Sequence, residues 1–289
     1  MKLIKLYALI IIMLAAEGSF SQIVIINPGI QDSLSKISSL IWKQKSDSAR
    51  LAISDVFFSE FHAALSLAGS PLIPFDSVNG ITRVVSDDKK LRIFTWNVPL
   101  TDGSNRYFGF IQVVGDSSYI VPLKSPAKQT ETSGTIQIAV QDWYGALYYK
   151  LIQQLINGHM TYTVLGWDGY TSVSNRKMID IISFDTKGNL LLGLPVFKTQ
   201  EGIKPRIVFE YAEQANLLLR YDYQAIRVEK RKKIKREDTW LIVMDRLVPA
   251  DPSLKGIAKY YVPAGDVYDG FIFRNGYWVL VEDVEVANR

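Results

Sequence analysis

Residues 268–281 read Tyr-Asp-Gly-Phe-Ile-Phe-Arg-Asn-Gly-Tyr-Trp-Val-Leu-Val, and this stretch indicates the fold class most clearly. Aromatic and β-branched residues, which are typical of strands, stand on both sides of Asn275-Gly276. Asn and Gly tolerate the positive φ that a two-residue hairpin turn needs. The stretch therefore predicts two antiparallel strands joined by a tight turn.

The rest of the second half repeats this pattern of strand-like segments separated by turn residues. Alternation of apolar and polar residues is cleanest around Ile207, Phe209 and Tyr211. No regular exchange of strands and helices is present, which disfavours the nucleotide-binding α/β folds. The predicted strands cover residues 162–167, 178–184, 206–211, 217–223, 240–245, 268–273 and 277–281.

The chain begins differently, with apolar residues at helical spacing over 30–41 and again over 52–68. Ser46-Asp47-Ser48 can cap the start of the second helix, and Gly69-Ser70-Pro71 stops it. The two segments predict a helical hairpin within residues 22–70. Its aromatic stripe of Phe57, Phe58 and Phe61 is expected to pack on the body of the protein.

The body, residues 71–289, is predicted to contain a meander of strands over 91–98, 106–114 and 119–123. A polar stretch near 124–134 is a candidate linker or surface loop, and the body could be subdivided there. Residues 143–156 show helical spacing and end at Asn157-Gly158, which predicts one helix among the strands. The expected fold class is therefore α+β: an N-terminal helical hairpin, then a mainly antiparallel β-sheet body with one embedded helix.

Residues 1–21 have the three regions of a secretory signal peptide. Lys2 and Lys5 are basic, and the uncharged run 6–16 is shorter than the roughly 20 apolar residues that cross a bilayer. Ser19 and Ser21 are the small residues expected before a cut at Gln22. The sequence predicts an exported protein that starts at Gln22 and has no transmembrane anchor after cleavage; the alternative is an N-terminal strand or core helix.

The chain has no cysteine, which excludes disulfides, thiolate metal sites, iron–sulfur clusters and cysteine nucleophiles. His62 and His159 are the only histidines, and neither belongs to a metal-binding or hydrolase motif. We therefore expect no metal site and no cofactor.

The net charge of +4 comes from residues 227–238, which contain seven basic and three acidic residues. This basic run separates two strand-like segments, as the tip of a hairpin would. Its centre, Lys230-Arg231-Lys232-Lys233, is a candidate contact for an anionic surface such as lipopolysaccharide, and a plain solvated loop is the alternative. Nucleic acid is disfavoured as a partner, because the chain is expected to be exported and has no nucleic-acid recognition motif.

Two carboxylates that meet across a cleft need no sequence signature, so acid–base chemistry stays open. Asp168 and Asp269 are the weak catalytic candidates. Each precedes a glycine, and an aspartate at a turn is the simpler explanation for both residues. Tryptophans offer a second kind of site, since an exposed indole can stack on a sugar ring. Trp167 and Trp278 stand beside turns and are expected to be partly exposed; the alternative is that they are core residues.

Several short stretches of the chain form a distinctive set: Gly166-Trp167-Asp168-Gly169, Arg220-Tyr221-Asp222, Leu247-Val248-Pro249, and 269–278, together with a leader that ends in Phe20-Ser21. These stretches resemble a group of uncharacterised exported proteins of Bacteroidota with no known activity. The resemblance covers roughly residues 140–289 and implies a periplasmic or outer-membrane-associated location, but it carries over no catalytic residues.

Two functions of different class remain. The preferred one is a non-catalytic envelope protein that binds an envelope protein or polysaccharide through the tryptophans and the basic run. The alternative is a glycan-active hydrolase that uses Asp168 and Asp269 as its pair of carboxylates.

Overall fold

The computed structural model describes residues 29–127, 136–230 and 233–286, with the backbone only at 227–230 and 233–235. Two α-helices come first, α1 (Gly29–Ile41) and α2 (Asp47–Leu65). The first sheet has the order β1-β2-β3-β4 and consists of β1 (Thr82–Val85), β2 (Leu91–Pro99), β3 (Asn105–Val113) and β4 (Tyr119–Lys124).

The second sheet has the order β5-β9-β8-β7-β6, and β12 pairs with the free half of β8. The third sheet has the order β11-β10-β16-β15-β14-β13. All described strand pairs are antiparallel except β10 with β16. The strands of the second sheet are β5 (Ile138–Ala139), β6 (Leu147–Ile156), β7 (His159–Asp168), β8 (Ser174–Phe184), β9 (Leu190–Leu192) and β12 (Ile207–Ala212). Those of the third sheet are β10 (Phe197–Thr199), β11 (Gly202–Lys204), β13 (Leu219–Lys230), β14 (Lys233–Pro249), β15 (Tyr261–Arg274) and β16 (Tyr277–Val281).

The helices and the three sheets stack as four layers. Phe57 and Phe61 of α2 pack on Phe94 and Phe110, on one face of the first sheet. The opposite face of that sheet packs on the second sheet, and the second sheet packs in turn on the third. Each sheet has at least one apolar face, and stacking the sheets face to face buries these apolar faces.

Local chemistry fixes the helical layer. The Ser46 hydroxyl accepts a hydrogen bond from the Ala49 amide, which caps α2. Arg92 of β2 is buried and reaches the loop after α2, where it donates to the carbonyl of Ser70 at 2.8 Å and to that of Ile73. Burial lowers the pKa of Arg92 to about 10. This guanidinium therefore ties the helical pair to the first sheet.

The α+β class is confirmed, and so is the helical pair that precedes the β-sheet body. The strands predicted over 91–98, 106–114 and 119–123 correspond to β2, β3 and β4. The Asn275-Gly276 turn is also confirmed: both residues have positive φ, 50° and 79°, and Arg274 pairs with Tyr277 across the turn.

The helix predicted over 143–156 is wrong, because residues 147–156 form strand β6. Asn157-Gly158, taken as the end of that helix, is a second hairpin turn, with φ of 51° and 80° and with Ile156 paired to His159. Leu151 faces the first sheet and Ile152 faces the third. A strand with apolar residues on both faces has no visible alternation, so its spacing also fits a helix.

Two other expectations lie mostly outside the described residues. The signal peptide and Gln22 belong to residues 1–28, and most of the proposed subdivision near 124–134 belongs to residues 128–135.

The hairpin of β13 and β14 extends past the rest of its sheet. The two strands pair from Leu219↔Met244 to Lys230↔Lys233, whereas β15 pairs with β14 only from Leu241 onward. Residues 223–230 and 233–240 therefore form a two-stranded arm, roughly 25 Å long at about 3.4 Å per residue. A single backbone bridge from Glu285 to Ala225 contacts the outer edge of this arm.

Candidate binding surface

A row of aromatic side chains crosses one face of the third sheet and runs out onto the arm. Register places Phe197 beside Trp278, Trp278 beside Phe273, and Trp240 beside Tyr223. Phe273 follows Ile272, the partner of Leu241, so it lies next to Trp240 in the row. The row thus contains one aromatic residue from each of five adjacent strands.

Burial changes along the row. Phe197 and Trp278 are fully buried beneath the second sheet, Phe273 is half-buried, and Trp240 and Tyr223 are each 53% exposed. The Trp278 indole donates a hydrogen bond to the Thr163 hydroxyl of β7 at 3.0 Å, which satisfies its only polar atom. One end of the row is therefore core, and the other is surface.

The exposed end is built as a platform. The Tyr221 ring stacks on the Trp240 indole with centroids 5.1 Å apart and 24° between the planes. Tyr223 meets the same indole edge-on at 5.6 Å. We call Tyr221, Tyr223 and Trp240 the aromatic platform. Packing among the three rings fixes their orientation before any ligand arrives.

Charged groups border the platform. The Lys150 ammonium of β6 lies 5.8 Å from the centroid of the Tyr221 ring, and Asp238 is exposed one same-face position beyond Trp240. Burial raises the pKa of Tyr221, and Asp87 raises it further. The Tyr221 phenol is therefore neutral at pH 7 and acts as a hydrogen-bonding group. A half-exposed indole with polar groups at its rim can pack on a sugar ring and orient its hydroxyls.

The two tryptophans singled out from the sequence lie elsewhere. The expected exposure of Trp278 is wrong: it is fully buried, because its position in the row faces the second sheet. Trp167 is half-buried near the end of β7, beside the Tyr211 hydroxyl. The structure therefore does not bring Trp167 and Trp278 together on one exposed surface.

The two catalytic candidates lie in different sheets and have structural partners. Asp168 of β7 is buried and accepts a hydrogen bond from the Tyr107 phenol of the first sheet. Burial raises the pKa of Tyr107, and Asp168 raises it further. Asp269 of β15 binds the Arg246 guanidinium through both carboxylate oxygens, at 3.0 and 2.5 Å. Each carboxylate thus has a part in holding the fold.

The basic run lies where it was expected, at the end of a hairpin. Lys230 and Lys233 pair as the last rung of the arm, and Arg231 and Lys232 lie outside the described residues. The described part of the basic run and two of the three platform residues, Tyr223 and Trp240, therefore belong to the same two-stranded arm.

The sequence contained a signal for the platform that strand prediction alone missed. In an antiparallel hairpin in which residue 230 pairs with residue 233, the numbers of paired residues always sum to the same value, so Tyr223 pairs with Trp240 and Tyr221 pairs with Ile242. Counting back from the basic tip would have placed Trp240 opposite Tyr223.

Comparison of the chain with protein-family models, with curated proteins and with solved structures returned no match. Within the described parts of the chain, no group of three or more His, Asp or Glu side chains is placed to hold a metal ion. Among the helices that the structure describes, none combines the length and apolarity needed to cross a membrane.

Proposed function

We propose that this is a non-catalytic exported protein that binds a polysaccharide of the cell envelope on its aromatic platform. The observation that carries the proposal is the stacked Tyr221–Trp240 pair, whose indole is more than half exposed on a projecting arm.

The energetics of the arm support a binding role. The exposed apolar surface of the Trp240 indole stays in contact with water, and a sugar that covers it would gain about 25 cal/mol for each Å² removed from water. The same row has a fully buried tryptophan, Trp278, two strands away from the exposed Trp240. A pre-oriented platform loses little side-chain entropy when it binds a rigid, flat sugar face.

The hydrolase alternative has less support. Asp168 is buried against Tyr107, and Asp269 is held by Arg246. A pair of catalytic carboxylates must face a common substrate at about 5 to 9.5 Å. Since each candidate is engaged in a different part of the fold, we prefer binding without catalysis.

The location belongs to the same proposal. Residues 1–21 have the sequence features of a signal peptide, and a periplasmic or outer-membrane-associated protein would meet envelope polysaccharide directly. An envelope protein is the other partner class that such a surface could take.

Affinity electrophoresis through gels that contain single soluble polysaccharides, neutral and acidic, tests the proposal. We expect the protein to be retarded by at least one polymer, and W240A to lose that retardation. Trp42, at the end of α1, is 50% exposed, so W42A is a matched control that should migrate like the unmodified protein. Equal retardation of W240A, or no retardation by any polymer, would contradict the proposal.

A further inference from the structure

Strands β14 and β15 are joined by an ordered surface loop at the opposite end of β14 from the arm. The Ala250 amide donates a hydrogen bond to the Tyr260 carbonyl at 2.9 Å, so the two ends of the loop lie close together. Two short 3-10 helices, Pro252–Leu254 and Ala258–Tyr260, follow each other within it. We call residues 250–260 the β14–β15 loop.

Hydrogen bonds from side chains hold the shape of this loop. The Asp251 carboxylate accepts from the Ser253 amide at 2.9 Å and caps the first short helix. The Tyr261 phenol accepts from the Gly256 amide at 3.0 Å, between the two short helices. A loop that is fixed in this way loses little conformational entropy when its side chains meet a partner.

The loop leaves apolar side chains in water although its backbone is ordered. Ile257 and Tyr260 are 43% and 40% exposed, and Ala258 between them is exposed as well. The second short helix contacts β12, so the fold accounts for the base of the loop. Packing within the described part of the chain leaves the outer side chains uncovered, and a partner with an apolar phase would bury them.

Two lysines accompany these apolar side chains. Lys255 and Lys259 are exposed, and the Lys259 ammonium lies 5.2 Å from the centroid of the Tyr260 ring. Within the described part of the chain, neither ammonium forms an ion pair. The only carboxylate of the loop, Asp251, is engaged by Ser253. The loop therefore presents positive charge beside apolar groups.

From this arrangement we infer that the β14–β15 loop docks on a bilayer that contains anionic lipid. Ile257 and Tyr260 enter the interface, and the two lysines meet the lipid phosphates. Tyrosine is favoured at the headgroup level because its ring is apolar and its hydroxyl is polar. A lysine can lay its apolar stem along the interface and keep its ammonium in water, and each lysine near an anionic surface strengthens binding by about fivefold.

Docking of this loop leaves the aromatic platform free. Residues 240–249 of β14 separate Trp240 from the loop, by at most roughly 30 Å at about 3.4 Å per residue. From Trp240 the arm continues in the direction away from the loop. A molecule that rests on a bilayer through the loop can therefore hold its platform away from the membrane. The inference goes beyond the proposed function and does not depend on it.

Sedimentation with phosphatidylcholine vesicles, with and without phosphatidylglycerol, tests the inference on the protein purified after export. We expect binding to the mixed vesicles only, and weaker binding as salt is added. K255S/K259S should bind the mixed vesicles about tenfold more weakly or worse, and I257S/Y260S should also lose most of the binding. K43S/K45S removes the same charge from exposed lysines between α1 and α2, and it should bind like the unmodified protein.

A fluorescent probe locates the contact. Because the chain has no cysteine, a single introduced cysteine can carry an NBD label. The label on A258C lies in the loop, and the label on T186C lies in the exposed turn between β8 and β9. When mixed vesicles are added, emission at position 258 should rise and shift to the blue, whereas emission at position 186 should stay unchanged.

Several outcomes would overturn the inference. If K255S/K259S binds like the unmodified protein, another surface such as the basic run is responsible. Equal weakening by K43S/K45S would mean that general charge is responsible. An unchanged label at position 258 on vesicle-bound protein contradicts the inference even if I257S/Y260S fails to fold, which circular dichroism would show.

The same variants keep the inference separate from the proposed function. K255S/K259S should still be retarded in polysaccharide gels, and W240A should still bind mixed vesicles. Loss of vesicle binding in W240A as complete as in K255S/K259S would contradict a contact confined to the loop. Absence of retardation by any polysaccharide would contradict the proposed function alone.

Discussion

The Trp240 indole and the Tyr221 phenol lie stacked, with their centroids 5.1 Å apart, at the point where the hairpin of β13 and β14 leaves the third sheet. The Tyr221 ring also packs nearly perpendicular to the Trp278 ring, with the two centroids 6.3 Å apart, and Trp278 is fully buried. The exposed platform is therefore continuous with the hydrophobic core. A rigid base of this kind keeps the two exposed rings in place.

The two ends of the aromatic row should respond differently to truncation. Trp278→Ala removes a fully buried indole and leaves the Thr163 hydroxyl without its donor, so we expect a loss of about 3 to 5 kcal/mol in the free energy of unfolding. Trp240→Ala removes a half-exposed ring and should cost about 1 kcal/mol. Urea unfolding followed by circular dichroism measures both, and similar losses for the two variants would disprove the division into core and surface.

A buried ion pair lies between the first and second sheets. The Asp180 carboxylate accepts hydrogen bonds from Arg206 and from the Tyr144 phenol, each at 2.9 Å, and both charged side chains are almost fully buried. Burial raises the pKa of Asp180, although Arg206 acts in the opposite direction.

Asp180→Asn should therefore destabilise the protein by about 3 to 5 kcal/mol, because it leaves the Arg206 charge buried without its counterion. The double variant D180L/R206M should recover most of that loss. Thermal unfolding of the two variants tests this account; a double variant less stable than the single one would show that the pair itself supplies net stability.

The turn between β1 and β2 is fixed by one carboxylate. Asp88 accepts hydrogen bonds from the Ser86 hydroxyl at 2.5 Å, the Lys90 amide at 3.0 Å and the Tyr162 phenol at 3.2 Å. Burial raises the pKa of Asp88, but these hydrogen bonds outweigh it, and the pKa lies below its usual value.

Because the folded pKa is the lower one, ionised Asp88 stabilises the protein above the unfolded value of about 4, and this stability is lost as the pH falls through the folded value. Asp88→Asn should cost at most about 1 kcal/mol at pH 7, since the site is partly solvated. The difference from the unmodified protein should vanish at the acid end of a pH series of urea unfolding curves. A constant difference across the series would mean that the charge is irrelevant.

The signal-peptide prediction has a simple check. When the full chain is made in a bacterium with a working secretion pathway, the mature protein should begin at Gln22, and Ser21→Phe should slow processing by blocking the small-residue position before the cut. Intact mass measurement of the periplasmic product tests both. A product that keeps residues 1–21 would contradict the prediction.

Much of the fold could be predicted from the sequence wherever local signals agree with burial. Asn275-Gly276 and the helical pair are such cases. Asn157-Gly158 carries the same turn signal, but the strand before it is buried on both faces, and its apolar spacing imitates a helix. The stacking order of the three sheets could not be predicted, because it depends on contacts between residues far apart in the chain.

The site was harder to predict because the exposure of a side chain depends on which sheet packs over it, and neighbouring residues in the sequence do not show that. Trp278 stands beside a turn and is nevertheless buried by the second sheet. Trp240 lies in the middle of a long strand and is exposed on the arm, which extends past the other strands of the third sheet. Hairpin register was the one local feature that could have joined Trp240 to Tyr223.

Quenching of tryptophan fluorescence by acrylamide tests most directly whether a polysaccharide covers Trp240. Two variants, W42F and W240F, each keep one of the two tryptophans that are half exposed or more among the described residues. With a polysaccharide that retards the protein, quenching of W42F should fall on binding, because the polymer shields Trp240, and quenching of W240F should stay unchanged. Unchanged quenching of W42F at saturating polysaccharide, or an equal fall in both variants, would contradict binding at the aromatic platform.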